Sequence, residues 1–197
     1  MDIKSVLIAV ASSSLIAAPQ AARDAELAQL ISNDTTRQNG VDRIVVGGGR
    51  EIPLLLSWTL NPPDHVDMHG LNVGLADVFG RLRTVEAIPF LIKNIRLQRW
   101  VWDFQSWSRA PQPIEGAFPA VAALIQIGPE ASKALMRFAS EAIPNDDRLP
   151  VIFVISQIAL ANANAQAERA FLSSALGEAN LERFWAEEGL KVADEQH

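Results

Sequence analysis

Two similar stretches of this sequence constrain its fold more than any other feature. In Arg50–Leu56 and again in Gly80–Ile92, an isoleucine and a proline lead into an apolar run. Pro53 and Pro89 are 36 residues apart, and a period in this range is typical of proteins built from repeated helix pairs. The second stretch predicts the end of one helix, a turn and the start of another. The pattern therefore indicates how the chain is built, and it says far less about what the chain does.

Composition limits the classes of function. A chain of 197 residues, 49% of them hydrophobic, is long enough for one domain with a substantial core. The 23 acidic and 17 basic residues give a net charge of -6. This balance argues against nonspecific binding of nucleic acid or anionic lipid over the whole surface, because both require excess positive charge.

The chain contains no cysteine. Disulfides, thiolate metal sites and a cysteine nucleophile are therefore excluded. This composition suits a bacterial protein of the cytoplasm or the periplasm and does not separate the two. Tyrosine is also absent, which leaves the polar aromatic role to five tryptophans.

Residues 1–21 have two interpretations, which the sequence leaves open. The small apolar run Val6–Ala18 follows Lys4 and resembles a signal peptide. Asp2 and Pro19 depart from that pattern, and the alternative is a first helix of the domain. The run is too short for a good membrane span, so none is expected unless the N-terminal segment is retained as an anchor. A signal peptide would favour a periplasmic or secreted location over a cytoplasmic one.

Helical spacing of apolar residues recurs along the chain, and no segment alternates as a strand would. We expect one all-α domain over 22–193, followed by a tail at 194–197. The predicted caps are Asp34 or Thr35, Asp64 and Thr84. The helices are predicted at 22–31, 36–46, 52–60, 64–82, from 84 onward, 118–127, 131–143, 149–160, 163–176 and 180–192. The predicted core between repeats is Leu75, Phe79, Ile88, Leu91, Leu124 and Leu135.

The motif Gly-Arg-Leu, a short turn and Ala-Ile-Pro-x-Leu-Ile at Gly80–Ile92 resembles the HEAT repeat. It is close to the bacterial HEAT-like variety found also in phycobilin lyases. Residues 121–135 fit the pattern with a shorter turn, and the resemblance covers roughly 34–177. It departs at Gly47–Gly49, which is looser than the usual turn, and at an inserted segment, 96–116. The resemblance implies an armadillo-like α-solenoid of about four HEAT-like helix pairs, with 180–192 as a terminal capping helix.

The resemblance implies a non-catalytic scaffold that binds another protein, since the repeat itself carries no catalytic residue and no cofactor. Fold analogy alone is a weak basis for function, and two alternatives stay open. One is an accessory subunit of an enzyme system of the lyase type, or a small hydrolase. The other is a nucleic-acid-binding HEAT-like protein.

The strongest candidate site is the segment Arg96–Arg109, where three tryptophans and three arginines occur within 14 residues. These residue types are enriched at binding hot spots. Trp100 and Phe104 share a helical face and could simply fill a wedge between helix pairs. The predicted partner-binding residues, which point away from that face or lie beside it, are Arg99, Trp102, Trp107 and Arg109.

Three other motifs carry less weight. His65 and His69 have the spacing at which two helical histidines share a metal, but no third ligand is evident, and a solvated helix start is the simpler interpretation. Gly47–Gly49 precedes a helix and could hold an anion, although a loose turn between helices explains it better. Ser12–Ser14 has no histidine and aspartate arranged around it in a hydrolase pattern.

Overall fold

In a computed structural model of the protein, the structure describes residues 20–99, 114–141, 145–162 and 164–176. These ranges contain helices and no strand, which confirms the all-α prediction for them. The helices are α1 (20–32), α2 (Arg37–Val46), α3 (Ile52–Trp58), α4 (Met68–Arg81), α5 (Ile88–Lys93, after a 3-10 turn at Val85–Ala87), α6 (Ile114–Ala117), α7 (Pro119–Ile127), α8 (Pro129–Ser140), α9 (Asn145–Ala161) and α10 (Gln166–Leu176). The predicted helix 180–192 and the tail lie outside the described residues.

Prolines mark the starts of four helices. Pro53 and Pro89 occupy the second position of α3 and α5, whereas Pro119 and Pro129 open α7 and α8. The first turn of a helix has no internal acceptor for its N–H groups, so a residue without an N–H is tolerated there. The repeated proline therefore marks a helix start in both stretches, as the sequence predicts.

The predicted caps are wrong at α2 and α4. Thr36 precedes α2 without a capping side-chain hydrogen bond, and Asp34 instead pairs with Arg37. The cap of α4 is Asp67, whose carboxylate accepts from the N–H groups of His69 (3.1 Å) and Gly70 (3.0 Å). Residue 64 belongs to a preceding turn, so the chain enters α4 one helical turn later than the sequence suggests.

Thr84 also fails as a side-chain cap. It stands before the 3-10 turn without a capping hydrogen bond, and its buried hydroxyl oxygen has no partner among the described residues. Its backbone N–H closes the preceding helix instead, by donating to the Phe79 carbonyl at 2.9 Å.

The same turn ends α2 and α4. Gly48 and Gly49 donate to the carbonyls of Val45 (3.0 Å) and Ile44 (3.4 Å). Arg83 donates to Gly80 (3.0 Å) just as Thr84 donates to Phe79. This pair of hydrogen bonds defines a Schellman motif, whose left-handed residue is usually glycine. That residue is Gly48 (φ 72°) in the first turn and Arg83 (φ 51°) in the second.

Glycines let α4 approach its neighbours closely. A Cβ atom at Gly70 would lie 1.9 Å from the Ser32 carbonyl oxygen, and one at Gly74 would lie 2.4 Å from that of Ile31. At the other end of α4, a Cβ on Gly80 would lie 2.7 Å from the Cα of Ala123 in α7. The backbone of α4 therefore touches the end of α1 and the side of α7.

A buried arginine completes the junction with α1. The Arg37 side chain donates from Nε to the Ile31 carbonyl (3.2 Å) and from Nη2 to the Ser32 carbonyl (3.1 Å). The last carbonyls of a helix lack partners within it, so this guanidinium satisfies groups that would otherwise be buried unpaired. The end of α1 is thus held by both α2 and α4.

The helices form one continuous core. Helix α4 packs on α2 and α7, α7 also packs on α5, α8 and α9, and α10 packs on α8 and α9. All six predicted core residues are buried in it, with Ile88 at 5% exposure and the others at 0%. That prediction is confirmed.

Within the described ranges, none of the helices has both the length and the apolar character needed to cross a membrane.

Candidate functional site: a groove beside α4

A groove with a volume of ≈ 510 Å³ lies beside α4, between α2 and α7. Its floor is small and apolar, and its rim is polar. The floor residues are Val41, Ala76, Ala122 and Ala123. The rim residues are Gln38, Asp77, Arg81, Arg99 and Gln126. Because the floor side chains are short, an incoming chain could approach the helix backbones closely while polar groups on both sides contact it.

Arg99 forms the strongest polar contact of the groove. Its two terminal nitrogens each lie 2.7 Å from a carboxylate oxygen of Asp77, and both side chains are mostly buried, at 24% and 18% exposure. The hydrogen bonds to Asp77 raise the pKa of Arg99, against the opposite effect of burial. Such two-pronged contacts fix geometry as well as charge.

Arg99 also ties together two distant parts of the chain. Its Nε donates to the Gly116 carbonyl (3.2 Å), and its backbone N–H donates to the Ala117 carbonyl (2.8 Å). Residues 99 and 116–117, which lie on either side of the segment 100–113 in the sequence, are therefore in contact at the groove wall.

Of the predicted partner-binding residues, the structure describes only Arg99. It lies at the groove with its guanidinium already engaged by Asp77 and Gly116. Trp102, Trp107 and Arg109 lie outside the described residues, as do Trp100 and Phe104. Their exposure and their contact with a partner stay predictions.

A second ion pair joins α4 to α2 at the side of the groove. Arg81 pairs with Asp42, with 39% and 47% of their side chains exposed. Gln38 donates to the same carboxylate at 3.0 Å. The hydrogen bond from Arg81 lowers the pKa of Asp42, and the charge of Arg81 adds to the effect. The more exposed position of this pair makes it the easier one for a partner to exchange.

Sequence reasoning missed Asp77, Arg81 and Asp42 as a group. The sequence contained part of the signal, since Asp77 and Arg81 are one helical turn apart and are the two charged residues of the mostly apolar second half of α4. Their partners, Arg99 and Asp42, are 22 and 39 residues away. No local pattern predicts such pairings.

The histidine spacing does not form a helical metal site. His65 precedes α4 with a left-handed backbone (φ 60°), and its carbonyl accepts from Gln29 at 2.8 Å. His69 lies in the first turn of α4. In the part of the chain that the structure describes, no three or more His, Asp or Glu side chains are grouped to hold a metal ion.

Gly47–Gly49 lies in the turn between α2 and α3, as the simpler interpretation predicts. Gly48 and Gly49 both have positive φ, at 72° and 75°. The helix that follows has seven residues, too short to make a persuasive anion site.

Comparison with known proteins assigns no family to this chain. No family model, no curated protein and no solved structure matches it. The resemblance to HEAT-like repeats therefore rests on the residues of this chain alone.

Proposed function

We propose that this protein is a non-catalytic scaffold that binds another protein through the groove beside α4 and the tryptophan-rich segment next to it. The observation that carries the proposal is the Arg99 contact. It joins Arg99 to Gly116 and Ala117, which flank a segment with three tryptophans in the sequence, at the wall of a groove with an apolar floor and a polar rim. Protein-binding surfaces typically combine apolar area, aromatic anchors and a polar rim in this way.

We also propose that the helices form a HEAT-like α-solenoid of four pairs, α2–α3, α4–α5, α7–α8 and α9–α10. The packing supports this in part, because the first helices contact each other in the order α2, α4, α7, α9 and three of the four second helices do so in the order α5, α8, α10. In a solenoid, each repeat contacts its neighbours through equivalent helices.

The two Schellman turns give independent support to the repeat. Gly48 and Arg83 are 35 residues apart and occupy the same position of the same motif. Each turn is followed by an Ile-Pro pair that starts the next helix. A repeat of backbone geometry as well as sequence is what duplication of a helix pair would produce.

The lyase-type accessory subunit and the nucleic-acid binder remain the alternatives. Capture of an enzyme whose activity depends on this chain would favour the first. Retention on DNA or RNA that weakens with salt would favour the second. The net charge of -6 and the internal pairing of Asp77 with Arg99 and of Asp42 with Arg81 disfavour the nucleic-acid binder, because few free cations are left at the groove to contact phosphates.

The test is to fill the groove without disturbing the core. The full chain is used to capture partners from its native host, and the partner's dissociation constant is measured for wild type and for Ala122→Trp. Ala122 lies half-buried on the groove floor, so a large side chain there should weaken binding at least about tenfold, comparable to loss of a hot-spot contact. The matched control is Ala170→Trp, on an exposed position of α10.

Each variant is also checked by thermal melting. The proposal expects Ala122→Trp to lose affinity with its melting temperature unchanged and Ala170→Trp to lose neither. Equal affinity of both variants for the captured partner would exclude the groove as its binding surface.

A further inference from the structure

The turns that end α2 and α4 form one continuous edge of the molecule. A Cβ atom on Gly49 would lie 3.2 Å from the Cδ1 atom of Leu82, so the two turns are in direct contact. This edge shares no residue with the lining of the groove.

The edge exposes apolar and cationic side chains together. Val46 is 88% exposed and Val85 is 46% exposed, among the most exposed large apolar residues of the described chain. Arg50 and Arg83 are exposed beside them in sequence. The four residues Val46, Arg50, Arg83 and Val85 are called the turn edge below.

Both arginines of the turn edge are available to a partner. In the described ranges, neither Arg50 nor Arg83 makes an ion pair or a side-chain hydrogen bond. Other cations nearby are already matched, as Arg81 is by Asp42 and Arg43 is, at 3.9 Å, by Glu26. The turn edge therefore offers two arginines that are unpaired among the residues that the structure describes, on a chain whose net charge is -6. Two acidic residues lie next to it in the sequence, the exposed Glu86 beside Val85 and Glu51, which pairs with Arg23 at 3.9 Å, beside Arg50.

Arg83 has a backbone conformation that residues other than glycine disfavour. It has φ 51°, where the equivalent residue of the first turn is Gly48. A left-handed conformation is unfavourable for a residue that carries a side chain. Glycine at this exposed position would relieve the strain. The presence of arginine instead indicates that its side chain has a function.

The C-terminal part of the chain has the complementary chemistry. Residues 178–195 contain six acidic and two basic residues, a charge of -4. Apolar residues are interspersed among them, namely Leu181, Phe184, Trp185, Leu190 and Val192. A segment that is both acidic and apolar matches a surface that offers arginines and valines.

We propose that the turn edge binds the acidic segment 178–195 of a second copy of this chain. The packing order explains why the segment comes from a second copy. It follows α10, which packs on α8 and α9, whereas the turn edge belongs to α2 and α4 at the other end of the row. A contact between unlike surfaces of two copies leaves both outer surfaces free, so association can continue beyond a dimer.

The first experiment measures self-association of the full chain by sedimentation equilibrium at low and high salt. Wild type should associate, and less so at high salt, because screening weakens contacts between exposed charges. The variant Arg50→Glu/Arg83→Glu should associate at least about tenfold more weakly. The control Lys133→Glu/Arg137→Glu makes the same charge change on the exposed face of α8 and should behave as wild type.

A second variant tests whether misfolding is the reason for any weaker association. Arg83→Gly removes the side chain and also relieves the left-handed strain, so its melting temperature should equal or exceed that of wild type. Weakened association of this stable variant would therefore report the contact itself.

Exchanging charges between the turn edge and the segment 178–195 tests whether this segment is what the turn edge binds. A variant with Glu187→Lys/Glu188→Lys should associate weakly alone, and mixing it with Arg50→Glu/Arg83→Glu should restore association between the two. A monomeric wild type at all concentrations would overturn the proposal, because the segment would then bind its own chain or nothing. Two other results would also overturn it. One is that Arg50→Glu/Arg83→Glu associates as strongly as wild type, and the other is that mixing the two variants does not restore association.

Discussion

The two sides of α4 differ in the kind of contact that they make with the polar groups of neighbouring segments. On one side, Gly70 and Gly74 bring the helix backbone against the last carbonyls of α1, to which the Arg37 side chain also donates. On the other side, Asp77 and Arg81 point to a groove and pair with groups from distant parts of the chain. One helix thus provides a closely packed junction and a solvated surface.

The difference separates what holds the fold together from what is available to a partner. Close packing depends on side-chain volume, so adding or removing an atom changes the free energy of unfolding strongly. An ion pair at a groove depends on charge and is partly replaced by water when broken. We therefore expect substitutions to have smaller effects on stability as they move from the packed side of α4 to its groove.

The largest loss of stability is expected in the core that α4 shares with α7. Leu124 is fully buried, so Leu124→Ala should lower the free energy of unfolding by about 2–5 kcal/mol. Chemical denaturation measures this value. The control is Leu60→Ala, the same substitution at an 82% exposed position, which should leave the midpoint unchanged. A Leu124→Ala midpoint equal to wild type would contradict the assigned packing.

The next largest effect tests the glycine junction. Gly70→Ala places a Cβ where it would lie 1.9 Å from the Ser32 carbonyl oxygen, and the shift required should cost about 1–3 kcal/mol. Gly47→Ala is the matched control, because Gly47 has an ordinary φ of -66° and its Cβ would come no closer than 3.3 Å to another atom. If the two variants unfold at the same denaturant concentration, close approach of α1 and α4 is not what requires glycine at 70.

Arg99 and Asp77 should have an intermediate effect, since they lie at the groove but are mostly buried. Removing either partner, by Arg99→Met or Asp77→Asn, should cost about 1–3 kcal/mol, because the other loses charged hydrogen bonds. The double variant should cost less than the sum of the two. Additive losses in a double-mutant cycle would mean that the two side chains act independently.

The smallest effect is expected for Asp42 and Arg81, which are the more exposed pair. The pKa of Asp42 is lowered in the folded state from 3.8 by Arg81. The stability it provides is therefore complete above the unfolded-state pKa and is lost as the pH falls through the folded pKa. Asp42→Asn should remove this dependence, so its unfolding midpoint should approach that of wild type at low pH. A gap between them that persists in acid would have another origin.

Much of the fold could be predicted from the sequence because the signals for helix starts and for buried faces come from residues close together in the chain. Prolines after isoleucine mark helix starts, and apolar spacing identified Leu75, Phe79 and Leu124 as core. The caps were predicted less well, since Asp34, Asp64 and Asp67 are all suitable residues and only the tertiary path decides among them.

The groove could not be predicted for a related reason. Its ion pairs join residues that are far apart along the chain, and its floor consists of alanines that carry no chemical signal. The sequence did draw attention to Arg99, but as a group free to bind a partner. In the structure, Asp77 and Gly116 engage that guanidinium.

The most direct test of the account is the affinity of a captured partner for Trp102→Ala/Trp107→Ala, measured together with thermal stability. If the segment next to Arg99 is a binding surface, the double variant should weaken binding by more than about 2 kcal/mol, roughly 30-fold in the dissociation constant. Its melting temperature should fall little. A large fall in melting temperature with binding intact would contradict the account, because the two tryptophans would then serve the fold and the groove would have lost its proposed aromatic anchors.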